Sequence, residues 1–252
     1  MSDRAIIDLL ASFPRERAPL TPAHKACYVE EYHANRSGRG ILFSTTAALE
    51  AWMHRKVAAQ GSGGSILEIG AGTLNHVPFE SSSVLYDVVE PFRSFWQCSP
   101  YRSRIHSFYD DISEIPEQHR YDRIIAIAVL EHLVDLPNVV ARCGTLLSPE
   151  GRFQVGIPTE GGALWGMAWR CTTGIAYRLR TGLNYANIMR HEHVNNAHEI
   201  VLLLRHFFGE VMLSRFPLPT HHLSFYTCID AGRVQRERCL EFMRLREKAK
   251  IS

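Results

Sequence analysis

Ser65-Ile-Leu-Glu-Ile-Gly-Ala-Gly-Thr73 is the stretch that decides the fold. A short apolar strand ends there in a turn that carries an acid, Glu68, just inside it, with Gly70 and Gly72 at alternate positions. A second apolar run, Val84-Leu-Tyr-Asp-Val-Val-Glu90, follows and closes on another acid. A glycine-rich turn after a strand lets a nucleotide-like ligand lie against the backbone, and an acid ending the next strand can grip ribose hydroxyls. A dinucleotide fingerprint would need a third glycine three residues after Gly72, but that position is Asn75. Glu68 would also oppose a pyrophosphate, whereas a carboxylate suits an ammonium or sulfonium group. Charge therefore favours an adenosyl sulfonium ligand over a nicotinamide dinucleotide.

Outward from this turn the chain alternates. Strands are expected at Ser65–Gly70, Val84–Glu90, Ile105–Tyr109, Asp122–Ala128 and Arg152–Ile157, with a helix over Pro137–Leu147 closed by the turn Ser148-Pro-Glu-Gly151. Such alternation predicts a parallel sheet with crossover helices. Phe208–Phe216 and Leu223–Ile229 are β-rich, and the link between them is too short for a crossover, so the last strand should run antiparallel. Only Asn75–Ser83, with Pro78 inside, separates the glycine turn from the second strand. The first crossover helix must be short or distorted.

Residues 1–60 read as an N-terminal helical cap with a break at Ser37-Gly-Arg-Gly40, and Ser44–Gln60 forms its amphipathic end. Residues 61–252 form the main domain. It carries an insertion, 161–195, that contains Trp165, Trp169, Arg170, Tyr177, Arg178, Arg180, Tyr185 and Arg190 and reads as a lid. Arg233–Lys250 reads as a basic terminal helix whose charges mark a solvated face.

With 252 residues, 46% of them hydrophobic, the chain can bury one substantial core. A net charge of +2 gives no support for a nucleic-acid partner. No secretory signal fits Met1–Arg17, and the longest apolar run, Ile124–Leu130, falls far short of the roughly 20 residues that span a bilayer. The expectation is a cytoplasmic protein without a transmembrane segment. Its six scattered cysteines should be reduced, mostly buried thiols.

Several ordered motifs make the chain resemble the class I S-adenosylmethionine-dependent methyltransferases, particularly the type 11 branch. Glu68-Ile-Gly-Ala-Gly-Thr73 resembles the family's first motif, which surrounds the methionine part of the cofactor, with Asn75 just beyond it. Glu90-Pro91 is similar to the acidic end of the second strand, which holds the ribose. Asp110-Asp111-Ile112 resembles the acid-plus-apolar pair at the adenine edge. Tyr121–Leu133 resembles the fourth strand and its Glu-His-Leu turn, so Ala128, Val129 and His132 would line the cofactor pocket. Leu146-Leu-Ser-Pro-Glu-Gly-Arg-Phe153 is similar to the approach to the fifth strand. The family's third glycine is replaced near Leu74. The resemblance implies a Rossmann-like, mostly parallel seven-stranded sheet with helices on both faces, and S-adenosyl-L-methionine as cofactor.

His191-Glu-His193 stands at the end of the insertion. Two histidines two apart, with no third ligand at fitting spacing, do not make a zinc site. They are the candidates for a general base, should the methyl acceptor be a hydroxyl. The aromatic and arginine content of the insertion suits a small acceptor with ring and acidic features, such as a sugar, a sugar-lipid or a secondary metabolite. Neither the acceptor nor the oligomeric state is fixed by the sequence.

Overall fold

A computed structural model describes residues 3–28, 43–59, 61 and 64–251. The break expected at Ser37–Gly40 lies outside them. Three helices precede the sheet: α1 (Asp3–Ala11), α2 (22–28) and α3 (Phe43–Ala58). Then come β1 (Ser65–Ile69), β2 (Leu85–Val89), α4 (Arg93–Trp96), β3 (Ser107–Tyr109), β4 (Tyr121–Ile127), α5 (Leu136–Leu146) and β5 (Leu147–Pro158). The insertion folds as α6 (Ala163–Trp169), a π turn (Arg170–Gly174), α7 (Ile175–Thr181) and α8 (Tyr185–Glu192). The chain closes with α9 (Ala197–Phe207), β6 (Phe208–Pro217), β7 (Ser224–Val234) and α10 (Arg236–Ile251).

The seven strands pair in the order β3-β2-β1-β4-β5-β7-β6. β7 runs antiparallel to both β5 and β6, and the other pairings are parallel. Strand order reverses between β1 and β4, the place where open α/β sheets bind ligands beyond their carboxyl ends. The larger core lies on the side of α5 and α9, where Leu67, Ile124, Val140, Phe153 and Leu204 are buried together. Ile66, Tyr86, Val88 and Ile125 face the other way and pack on Val57 of α3.

β1 and β2 are joined without a helix; the link holds only the short 3-10 turn Val77–Phe79. α3 lies over this part of the sheet instead, with Met53 and Val57 buried against it. It is a covering layer of the domain itself.

The turn expected at Ser148–Gly151 is absorbed into the start of β5. Tyr121 pairs with Leu147 and Arg123 with Arg152, so the residues between bulge out of the ladder. This is the geometry of an extended β-bulge, which keeps the strand while accommodating Pro149 and Gly151. All six cysteines are free. Cys143, Cys228 and Cys239 are buried, but Cys98 and Cys171 are exposed, which corrects the expectation of mostly buried thiols. No described helix is long and apolar enough to cross a membrane.

Candidate functional site

The glycine turn is shaped by backbone that side chains resist. Gly70 (φ +68°) and Gly72 (φ +51°) both take left-handed conformations, which cost L-residues about 1–2 kcal/mol. At Gly70 a β-carbon would lie 2.5 Å from Val129 Cγ2, so β1 and the loop after β4 approach too closely for any side chain. At Gly72 it would meet nothing within 4 Å. Leu74 stands where the family places its third glycine. It adopts φ +67° and is fully buried, so packing offsets the backbone strain.

Glu90 is 5% exposed at the carboxyl end of β2. Its Oε2 accepts the Gly72 N–H at 2.8 Å and its Oε1 the Phe92 N–H at 3.0 Å, which ties the first turn to the second. Pro91 follows, exposed. Asp111 caps the turn after β3, its Oδ1 accepting the Ser113 N–H, while Asp110 is exposed and Ile112 buried beside it. Ala128 follows β4 exposed, with φ +54°. Thr73 Oγ1 donates to Asn75 Oδ1 at 2.8 Å, and both residues lie on the loop that replaces a crossover helix. No helix N-terminus follows the glycines.

Glu68 is 4% exposed, and its Oε2 accepts from Tyr86 Oη at 2.8 Å. Burial raises its pKa from 4.5 to about 7, against the opposing pull of His76 and the Tyr86 hydrogen bond. Beside it runs a buried polar chain that the sequence reading missed. His54 Nδ1 meets His76 Nδ1 at 3.1 Å, and His76 Nε2 donates to Glu80 Oε1 at 2.9 Å. Arg123 donates to both Glu80 oxygens and through Nε to Gln154 Oε1. Burial, reinforced by the charge of His76, holds the His54 pKa near 3. Burial works against the Glu80 carboxylate, yet the bonds from His76 and Arg123 lower its pKa to about 2.

The histidines of the insertion separate. His191 Nδ1 donates to the Ala18 carbonyl at 2.7 Å, and its ring packs edge-on against Tyr28. His193 reaches the strand ends: its Nδ1 donates to Glu160 Oε2 at 2.6 Å, just beyond β5, and its ring lies edge-on to His132, centroids 4.9 Å apart. His132 Nδ1 donates to the Glu192 carbonyl at 2.9 Å and lies 3.3 Å from Glu192 Oε2. Burial lowers the His132 pKa, but the bonds to Glu192 and the charge of Glu131 prevail and raise it. Glu192 is driven down to about 2: burial opposes ionisation, and the bonds from His132 and Tyr28 outweigh it. Glu131 is 2% exposed, and its Oε2 has no hydrogen-bond partner. Glu160 could not be singled out from sequence, because nothing local ties it to a histidine in another element.

The segment 12–28 straps this cluster down. Arg15 forms a two-pronged pair with Glu199, and Arg17 donates to the carbonyls of His132, His191 and Glu192. An open depression of about 470 Å³ lies between strap and insertion, with Arg15, Glu16, Arg190 and His193 in its lining. Arg170 and Arg178 are not part of it.

The residues present fit an adenosyl sulfonium cofactor. The backbone at Gly72 lies open beside the strand-order reversal, and the acids Glu90 and Asp111 follow the neighbouring strands β2 and β3 at the same carboxyl edge of the sheet. Similarity to known proteins agrees. Residues 42–207 match the family described as "Methyltransferase domain". Among solved structures, an S-adenosylmethionine-dependent methyltransferase of Thermotoga maritima, described as a possible histamine N-methyltransferase, superposes with a TM-score of 0.58 at 15% identity, covering 82% of this chain and 96% of that one. The plantazolicin methyltransferase bound to S-adenosylhomocysteine gives 0.57 at 11% identity, covering 91% and 98%. The 1,6-didemethyltoxoflavin-N1-methyltransferase of Burkholderia thailandensis gives 0.52 at 20% identity, covering 86% and 93%. No curated protein sequence matches. The match over two thirds of the chain sets aside the nicotinamide reading, and the protein belongs to the methyltransferase-domain family, the class I S-adenosylmethionine-dependent methyltransferases.

Proposed function

We propose that this chain transfers a methyl group from S-adenosylmethionine to a hydroxyl of a small acceptor, a sugar, sugar-lipid or secondary metabolite, with His193 as general base. The observation that carries this reading is the His193–Glu160 pair at the strand ends. A carboxylate holding Nδ1–H leaves Nε2 of the neutral ring as the free lone pair, able to take the hydroxyl proton as the oxygen attacks.

When bound, the cofactor supplies an electrophilic methyl on a positively charged sulfur. In this reading Glu90 accepts from the ribose hydroxyls with the lone pairs that Gly72 and Phe92 leave free. Asp111 and Ile112 meet the adenine, and Gly70, Ala71, Gly72 and Thr73 offer bare backbone to the methionine portion. Ala128, Val129 and His132 form the floor beneath the reacting centre. Methyl transfer needs acceptor, carbon and sulfur in line, so the enclosing strap and insertion contribute by positioning and by excluding water. The depression beside His193 is the space for the acceptor, with Arg190 at its edge.

The test compares His193→Ala and Glu160→Gln with the parent on a panel of hydroxylated acceptors, following S-adenosylhomocysteine release. His193→Ala should lower kcat by about 10²–10⁴-fold. Glu160→Gln should lower it less, and cofactor Kd by calorimetry should not change in either. Undiminished turnover in His193→Ala would remove the base from the mechanism.

A further inference from the structure

The helical insertion turns an apolar ridge to solvent. Trp169 and Tyr177 face inward and pack on Tyr185 of α8, with ring centroids 6.0 and 5.2 Å apart. On the outer side Met167, Cys171, Ile175 and Leu179 are all exposed, and Leu179, at 83%, is the most exposed large apolar side chain among the described residues. Spacing by four does not by itself align side chains. In a pure α-helix each such step advances by about 40°, so the last of the four would lie about 120° from the first. The π turn Arg170–Gly174 sits between them. Its bonds close five residues apart, so each residue turns through a smaller angle and much of that drift is removed. The four side chains come into line.

Charge decides what this ridge meets. Arg170 and Arg178 border it on one flank and Arg180 on the other, all exposed. From residue 161 to 191 there is no aspartate or glutamate. A second copy of the chain laid on the ridge would set these arginines against their own equivalents with no carboxylate between them. An apolar stripe between arginines, on a helix too short and polar to span, is the pattern of a helix lying in a membrane interface.

We propose that this face docks on an anionic phospholipid surface. Met167, Ile175 and Leu179 enter the boundary between headgroups and acyl chains, while the arginines meet lipid phosphates. α8 continues from the same insertion to His193, so docking would hold the strand ends close to the bilayer. The inference goes beyond the proposed reaction and stands whether or not His193 is the base.

The test is co-sedimentation of the full chain with phosphatidylcholine vesicles, with and without phosphatidylglycerol. The chain should partition onto the anionic vesicles, far less onto the neutral ones, and more weakly as salt rises. Ile175→Ser with Leu179→Ser should lower partition by at least about tenfold. Arg178→Ser should lower it about fivefold. Unfolding temperature and cofactor Kd, measured alongside, should stay at parent values because these side chains are exposed, so lost binding would not report misfolding. No partition onto anionic vesicles, or partition untouched by the ridge substitutions, overturns the proposal. So does a dimer in sedimentation velocity that the serine pair abolishes, since the ridge would then belong to a second copy.

Discussion

Alanine at each of the two turn glycines separates structural strain from cofactor contact. At Gly72 the backbone sits at φ +51° and a new methyl would meet no protein atom. The cost to folding is the left-handed strain alone, about 1–2 kcal/mol. For a chain of this size that lowers Tm by about 2–8 °C. At Gly70 the same strain is joined by a methyl 2.5 Å from Val129 Cγ2 and 2.9 Å from Cγ1, a stiff β-branched neighbour. Overpacking of this kind adds about 1–3 kcal/mol, so Gly70→Ala should lose about 2–5 kcal/mol. Cofactor affinity should order the two variants differently. If the open backbone at Gly72 is where the methionine portion lies, its methyl intrudes on the ligand and weakens binding by about 10–100-fold. Differential scanning calorimetry gives the stability arm, and titration with S-adenosylhomocysteine gives the affinity arm. A Gly72→Ala protein that melts a few degrees lower but binds with parent affinity would refute the assignment of that space.

Leu74 gives a reversed ranking. Glycine is ordinarily worse than alanine inside structure by about 0.5–1 kcal/mol, yet at φ +67° Leu74→Gly should be no less stable than Leu74→Ala, both having lost the buried side chain. Urea unfolding decides, and a glycine variant clearly weaker than the alanine one would contradict the strain. Arg123→Met leaves Glu80 buried without its cation and should cost about 3–5 kcal/mol, with much of the loss recovered when Glu80→Leu is added. A double variant as weak as the single would show that the pair does not act as a unit. Glu68 gives a pH dependence. Its folded pKa lies above its unfolded value, so its contribution is present below about pH 4.5 and lost as pH rises through about 7. His132 loses its share only above 6.5, and the depressed Glu80 and Glu192 act below 4.5. Between pH 4.5 and 6.5 Glu68 makes stability fall with pH while His54, held near 3, makes it rise, so Glu68→Gln should shift that slope upward, and an unchanged slope would remove Glu68 from it.

The strands were legible because their signal is local. Continuous apolar runs such as Ile124–Ala126, buried on both faces, suit a strand covered on both sides as in a parallel sheet, and the short Pro217–His222 link forces antiparallel pairing. That the link between β1 and β2 could hold only a short or distorted helix was equally readable from its length and from Pro78; the structure keeps no more than a 3-10 turn there. What replaces a full helix was not, because α3 packs there from before the first strand. The same limit hid His54–His76–Glu80–Arg123, whose members come from three segments, α3, the link after β1, and β4, that meet only in three dimensions. Arg123, a charged residue that is 4% exposed in the fold, is the extreme case. At the site the sequence offered His191 and His193 as equals. The end of α8 at Glu192 separates them: one faces the strap, the other the strand ends. The turn at Ser148–Gly151 was real as chemistry but lies inside a strand, since a ladder tolerates extra residues on one side.

Glu90 is fastened at both oxygens by backbone from two different loops, so its rotamer is chosen while the chain folds. In the proposed reading, an arriving cofactor meets an acceptor already in position and need not freeze it. The association step is thereby relieved of an ordering cost of about 0.5–1.5 kcal/mol that a mobile glutamate would impose.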